Sequence, residues 1–181
     1  MSSKIMGNVL PFDGMMPKLA PDVFIAPGAQ VIGNVEIGPG SSIWYNCVIR
    51  GDVEKITIGA RTNLQDGTIV HVNGGTNPCN IGDDVLVGHM CMIHGCDLHE
   101  RAFVGMGAMV LDACVMESDS MLAAGAMLTP GKRIPGGELW AGRPAKLMRH
   151  LDADALAANK RSVAHYAQLA QLHRRGLGQG E

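Results

Sequence analysis

The sequence predicts an all-β solenoid of stacked six-residue units followed by a C-terminal α-helix. Three observations predict it: aliphatic residues recur every six positions, a thin side chain precedes most of them by two, and glycines punctuate the intervals. The runs are Ile25, Val31, Ile37, Ile43, Ile49; Ile58, Leu64, Val70; Ile81, Val87, Ile93; and Leu98, Val104, Val110, Met116, Leu122, Leu128. Repetition at a fixed period signals a repeat architecture. A unit of one short strand and one corner cannot bury its apolar face alone, so successive units must stack. Breaks between runs are read as turns of altered length.

The position two before each aliphatic points the same way along a strand. It holds Ala29, Ser41, Thr62, Thr68, Ala102, Ala108, Ser120 and Ala126, and all five cysteines, Cys47, Cys79, Cys91, Cys96 and Cys114. The cysteines are therefore expected to be small core residues, not nucleophiles or metal ligands. Gly33, Gly38, Gly59, Gly82, Gly88, Gly105 and Gly125 fall in the corners, where a sharp bend favours a residue permissive of positive φ.

The domain organisation read from this is an N-terminal extension over 1–20, a solenoid over 21–146 and a C-terminal helix and tail over 147–181. The stretch "TPGKRIPGGELWAGRPAK" marks the exit from the solenoid. Beyond it Asp152 can cap a helix running to about His173, with Leu156, Val163, Tyr166 and Ala170 in helical phase. That helix is expected to pack on a neighbouring molecule.

At 181 residues the chain suits one domain. A net charge of −2 and 4% aromatic residues offer nucleic acid neither an electrostatic footprint nor a stacking platform. No apolar run approaches the roughly 20 residues of a membrane span, and "MSSKIMGNVLPFDG" lacks the apolar core of a signal peptide. An odd number of cysteines argues for reduced thiols. A cytoplasmic protein with no nucleic-acid or membrane partner is the expectation.

The chemistry concentrates in "VGHMCMIHGCDLH", residues 87–99. The six-residue period resembles that of the hexapeptide-repeat β-helices, which implies three strands per coil; His71 and His94, each one residue after a repeat aliphatic and three units apart, would then stack on one outer face. Adjacent strands about 4.8 Å apart bring their imidazoles within reach of one metal ion. Arg50 lies on the same face one coil earlier. His89 follows Val87 by two, near a corner of the adjacent face, and stacks on Asp66. Faces of a triangular prism diverge, so three ligands would not obviously converge within one chain; between neighbouring chains of a threefold assembly they could.

"RGD" at 50–52, "NLQDGTIVH" at 63–71 and "GHMCMIHGC" at 88–96 resemble the gamma-class carbonic anhydrases and their bacterial relatives over residues 15 to 172. The resemblance implies a left-handed parallel β-helix of hexapeptide repeats with three strands per coil. It also implies a homotrimer with zinc, or iron(II) or cobalt, at each interface, held by His71 and His94 of one chain and His89 of the next. Three neutral imidazoles leave the ion its charge and an open position, so bound water ionises near pH 7 and hydroxide attacks carbon dioxide, giving bicarbonate. By the same resemblance Gln65 hydrogen-bonds metal-bound water, and Asn63 and Tyr166 are further site residues. Arg50 and Asp52 form an interface ion pair with Asp66 as a further polar partner, roles of assembly more than chemistry.

Two departures stand out. The prototype carries an acidic loop with a proton-shuttling glutamate where this chain has only "VNGGTNPCN" after His71, and Val53 replaces a second pocket glutamate. Regenerating hydroxide requires proton export, so weak turnover is expected. His99 and His165 are read as surface residues. The alternatives are a metal-dependent acyl-CoA thioesterase, a hexapeptide acyltransferase and a noncatalytic metal-binding or assembly protein, since fold does not fix function.

Overall fold

A computed structural model describes residues 7–179. It is a parallel β-solenoid with one C-terminal helix, α1, over Ala153–Gly176. Every repeat aliphatic named above is buried, none more than 3% exposed, and they form one continuous core along the solenoid axis. The strands fall into two sheets. The smaller stacks Phe24–Ile25, Ser42–Ile43, Asn63–Leu64, Leu86–Val87, Phe103–Val104, Met121–Leu122 and Glu138–Ala141 in parallel, ending with the antiparallel Lys146–His150.

The larger sheet joins the other two faces through one long strand, Val48–Ile58. Its first half pairs with Ile69–His71 and its second half with Cys79–Ile81. The break between the runs ending at Ile49 and beginning at Ile58 is thus continuous strand, not the expected turn. The register shifts between Gly33 and Val35 opposite it. There the bare Gly33, at φ +77°, lies so close to the Gly51 carbonyl that a β-carbon would not fit. Within the expected N-terminal extension, Asn8–Leu10 and Lys18–Leu19 are strands that pair in parallel with Gln30–Ile37; residues 1–6 of that extension, and 180–181 of the tail, lie outside the described residues.

All five cysteines are free and buried. The thin slot they share also supplies hydrogen-bond donors. Ser41, Thr62 and Thr68 donate to the carbonyls of Gly59, Gly82 and Gly88, and the Cys47 thiol to that of Gln65 at 3.1 Å. Corner carbonyls turned into the core need such partners. Burial pushes the Cys47 thiol up to about 12 and that of Cys91 to about 11.

The corner glycines divide in a way the repeat does not predict. Of those named, only Gly33 and Gly125 have positive φ. At Gly38, Gly59, Gly82, Gly88 and Gly105 a β-carbon would lie within 3.0 Å of a backbone atom of the next coil. They are glycine for close approach. Positive φ falls instead on Asn46, Arg61, Asp84, Met90, Arg101, Ala113 and Asp119 as well as on glycines.

Asp152 is the N-cap of α1, accepting from the Ala155 amide at 2.8 Å. The helix packs on its own chain's smaller sheet, against Phe24–Ile25, Asn63–Leu64 and Leu86–Val87. The reason is a second apolar cluster. Phe24, Ala26 and Trp44 meet Ala170 of the helix, with Tyr45, Tyr166, Leu169 and Leu177 packed around them. Trp44 sits edge-on to Tyr166 at 5.4 Å and to His173 at 5.1 Å, and Tyr45 Oη is 2.9 Å from His173 Nδ1.

Candidate metal centre

Two groups of polar side chains occupy different sheets. The first is built on the larger sheet. Ile69–His71 and Met92–His94 pair in parallel with His94 opposite His71. His71 Nδ1 and His94 Nε2 face one another at 3.1 Å. Each outer nitrogen meets a carboxylate: His71 Nε2 lies 2.9 Å from Asp52 Oδ1, and His94 Nδ1 lies 2.6 Å from Asp112 Oδ1. Arg50 pairs with Asp52 from its other side. Burial works to raise the Asp52 carboxyl, but hydrogen bonds from His71 and Arg50 outweigh it and hold the group below the usual carboxylate range.

The second group lies under α1 on the smaller sheet. His89 Nδ1 is 2.8 Å from Asp66 Oδ2, which turns Nε2 toward Tyr166 Oη at 3.4 Å. These face a cleft of about 360 Å³ whose walls include Gln65, Phe103, Met106 and Met121. Gln65 points out of the coil yet is only 4% exposed. Its amide donates to Asn63 Oδ1 at 3.1 Å, and the buried Asn63 Nδ2 is left without a partner. Burial raises the Tyr166 phenol, with Asp66 adding to the effect.

The structure therefore brings Arg50, Asp52, His71 and His94 together and, separately, Asn63, Gln65, Asp66, His89 and Tyr166. His99 and His165 are exposed. Among the described residues no three His, Cys, Asp or Glu side chains of one chain are grouped to hold a metal ion. The His71–His94 pair nonetheless fits two ligands of one ion. Tetrahedral coordination at about 2.0–2.1 Å puts ligand nitrogens roughly 3.3 Å apart, close to the separation found. Were each outer N–H directed at its carboxylate, the inner nitrogens would present facing lone pairs, which only a cation or a shared proton makes favourable. Asp112 was missed by sequence reasoning, although it lies 18 residues, one coil, beyond His94.

Residues 16–51 match the family described as bacterial transferase hexapeptide (six repeats). A carbonic anhydrase of Geobacillus kaustophilus is 38% identical, over 92% of this chain and 91% of that protein. Mitochondrial gamma carbonic anhydrase 2 of Arabidopsis thaliana is 51% identical over 87% of this chain. The chain belongs to the gamma-class carbonic anhydrase family. It spans 58% of the length of that plant anhydrase. Among solved structures, a hexapeptide transferase family protein of Anaplasma phagocytophilum superposes with a TM-score of 0.87 at 46% identity, covering 90% of this gamma-class chain and 96% of its own. An acetyltransferase of Vibrio cholerae solved with acetyl coenzyme A shares the fold alone, at TM-score 0.54 and 19% identity over 69% of this chain and 72% of its own.

Proposed function

We propose that the protein is a metal-dependent carbonic anhydrase acting as a homotrimer, with a zinc ion, or iron(II) or cobalt(II), held by His71 and His94 of one chain and His89 of another. The observation that carries this reading is the pair of imidazole nitrogens 3.1 Å apart, each ring braced from behind by a carboxylate. A divalent ion so held supplies Lewis acidity, ionising water near neutral pH. The chain's own groups do the rest. Asp52 and Asp66 orient the imidazoles of His71 and His89, while Gln65, hydrogen-bonded to Asn63, and Tyr166 line the cleft where carbon dioxide enters and bicarbonate leaves. Val53 is 53% exposed and carries no titratable group, so the proton released on hydration passes to buffer and turnover is slow.

The larger sheet supports an interface beside His71 and His94. Ile69, Met92, Met109 and Met127 stand in register on its outer face, and Met90 and Met106 are exposed at its corner. Such an apolar stripe is stabilised by a covering chain. The cytoplasm is the proposed compartment, supported by five free thiols; among the described residues no helix is long and apolar enough to cross a membrane.

Metal analysis of anaerobically purified protein, with carbon dioxide hydration, acyl-CoA hydrolysis and acetyl transfer assayed on one sample, tests the reading. Metal-dependent hydration rising through pH 7 supports it. A fully metallated protein that turns over only acyl-CoA, or nothing, overturns it. Mixing His89→Ala chains with His71→Ala/His94→Ala chains tests the shared site: mixed assemblies that recover no metal refute ligation across the interface.

A further inference from the structure

We propose that Asp112 is a positioning residue for metal binding, fixing His94 as the tautomer with hydrogen on Nδ1 so that Nε2 is bare toward the ion. The inference rests on the metal reading above and assigns a residue that none of the three motifs contains. At 2.6 Å the contact is short, as hydrogen bonds to a charged acceptor are. Both side chains are only partly exposed, 27% for His94 and 33% for Asp112. The Asp112 carboxylate meets His94, whereas Asp52 divides itself between His71 and Arg50.

The backbone is shaped for this approach. Met109–Val110 stacks on Met92–Ile93, which carries Asp112 to the corner above His94. Gly95 follows His94 at φ +51°, and a β-carbon there would come within 2.6 Å of Asp112 Oδ1 and 3.0 Å of Asn77 Cβ. The missing side chain at 95 is the space through which the carboxylate reaches the ring. A neutral imidazole carries one N–H, and the partner of one nitrogen decides which nitrogen is left to bind metal. A carboxylate on Nδ1 also raises the basicity of Nε2 as a ligand.

Two measurements on the full-length protein test this. In metal-free wild-type protein at pH 8.5, two-bond proton–nitrogen NMR correlations of His94 should report hydrogen on Nδ1; hydrogen on Nε2 overturns the proposal whatever the variants do. Zinc affinity, measured by competition with a chromophoric chelator, should fall roughly ten- to hundredfold in Asp112→Asn. It should be unchanged in Asp97→Asn, whose carboxylate accepts from Asn80 and touches no histidine. Circular dichroism verifies that both variants fold. Wild-type zinc affinity in folded Asp112→Asn overturns the role of Asp112 and leaves the metal reading standing. A wild-type protein that binds no zinc, iron(II) or cobalt(II) removes both.

Discussion

Replacing Gly88 by alanine should be among the most damaging single-methyl additions to this solenoid. A β-carbon at Gly88 would lie 2.7 Å from the Met106 amide nitrogen, 3.0 Å from Met106 Cα and 3.1 Å from the Gly105 carbonyl carbon. All three are backbone atoms of the next coil, so no rotamer relieves the contact. Reaching an ordinary contact near 3.4 Å means parting the coils by about 0.7 Å. The bonds from Gly88 N to Val104 O and from Gly107 N to His89 O, each 2.8 Å, would stretch to about 3.5 Å, beyond a useful hydrogen bond. Two such bonds at about 1 kcal/mol each, with overpacking of about 1–3 kcal/mol partly relieved by the same movement, give an expected loss of roughly 2–4 kcal/mol. Gly107→Ala is the contrast. Gly107 has φ +66° and nothing within 4 Å of a β-carbon, so its cost is about 1 kcal/mol of backbone strain. Urea unfolding at equal protein concentration measures both. A Gly88→Ala loss no larger than that of Gly107→Ala refutes the close-approach argument.

Native thiols should react with iodoacetamide at pH 8 at least a hundredfold more slowly than free cysteine, and all five should react after unfolding, because burial raises Cys47 to about 12 and Cys91 to about 11. Cys47→Ala should leave metal content unchanged at a cost of about 1 kcal/mol in urea unfolding. Acid should destabilise the fold partly through Asp119, whose carboxyl is held low by the Arg101 guanidinium at 2.9 and 2.7 Å. The folded value lies below the unfolded one near 3.9, so this contribution is complete above that pH and is lost as pH falls through the folded value. Asp119→Asn should flatten the acid limb of a stability–pH curve, and an unchanged limb refutes the assignment. Chelation should shift the assembly toward monomer in sedimentation velocity, because an ion shared between chains binds the associated state; an unchanged distribution after complete metal removal argues against the shared site.

The fold was legible because its period is its physics: units that bury one aliphatic each, and a thin side chain two before it, have no stable arrangement other than a stack. The period is silent on what lies outside the core. It does not distinguish a glycine needed for positive φ from one needed for close approach, as Gly125 and Gly105 illustrate. Nor does it say where the helix docks. Gln65 points outward from its coil and is buried all the same, because Trp44, Tyr45 and Phe24 draw α1 onto its own sheet. Counting units placed His94 on His71 despite the loop between them, and placed His89 on Asp66. Carried one coil further, it would have reached Asp112.

The division of the candidate site between two faces has an energetic logic of its own. A core triad of imidazoles would leave buried ring nitrogens unpaired in the metal-free chain. Here each ring is partly solvated and already held by one carboxylate, Asp52 for His71, Asp112 for His94 and Asp66 for His89. The entropy of orienting each imidazole is therefore met when the chain folds. On the proposed reading, what association and metal binding add is the meeting of preset halves, and little of their free energy goes into ordering side chains. On that reading the same arrangement couples the two events, since among the described residues His89 Nε2 meets the Tyr166 phenol at 3.4 Å. A third-ligand role for His89 would then require another chain to present the His71–His94 pair.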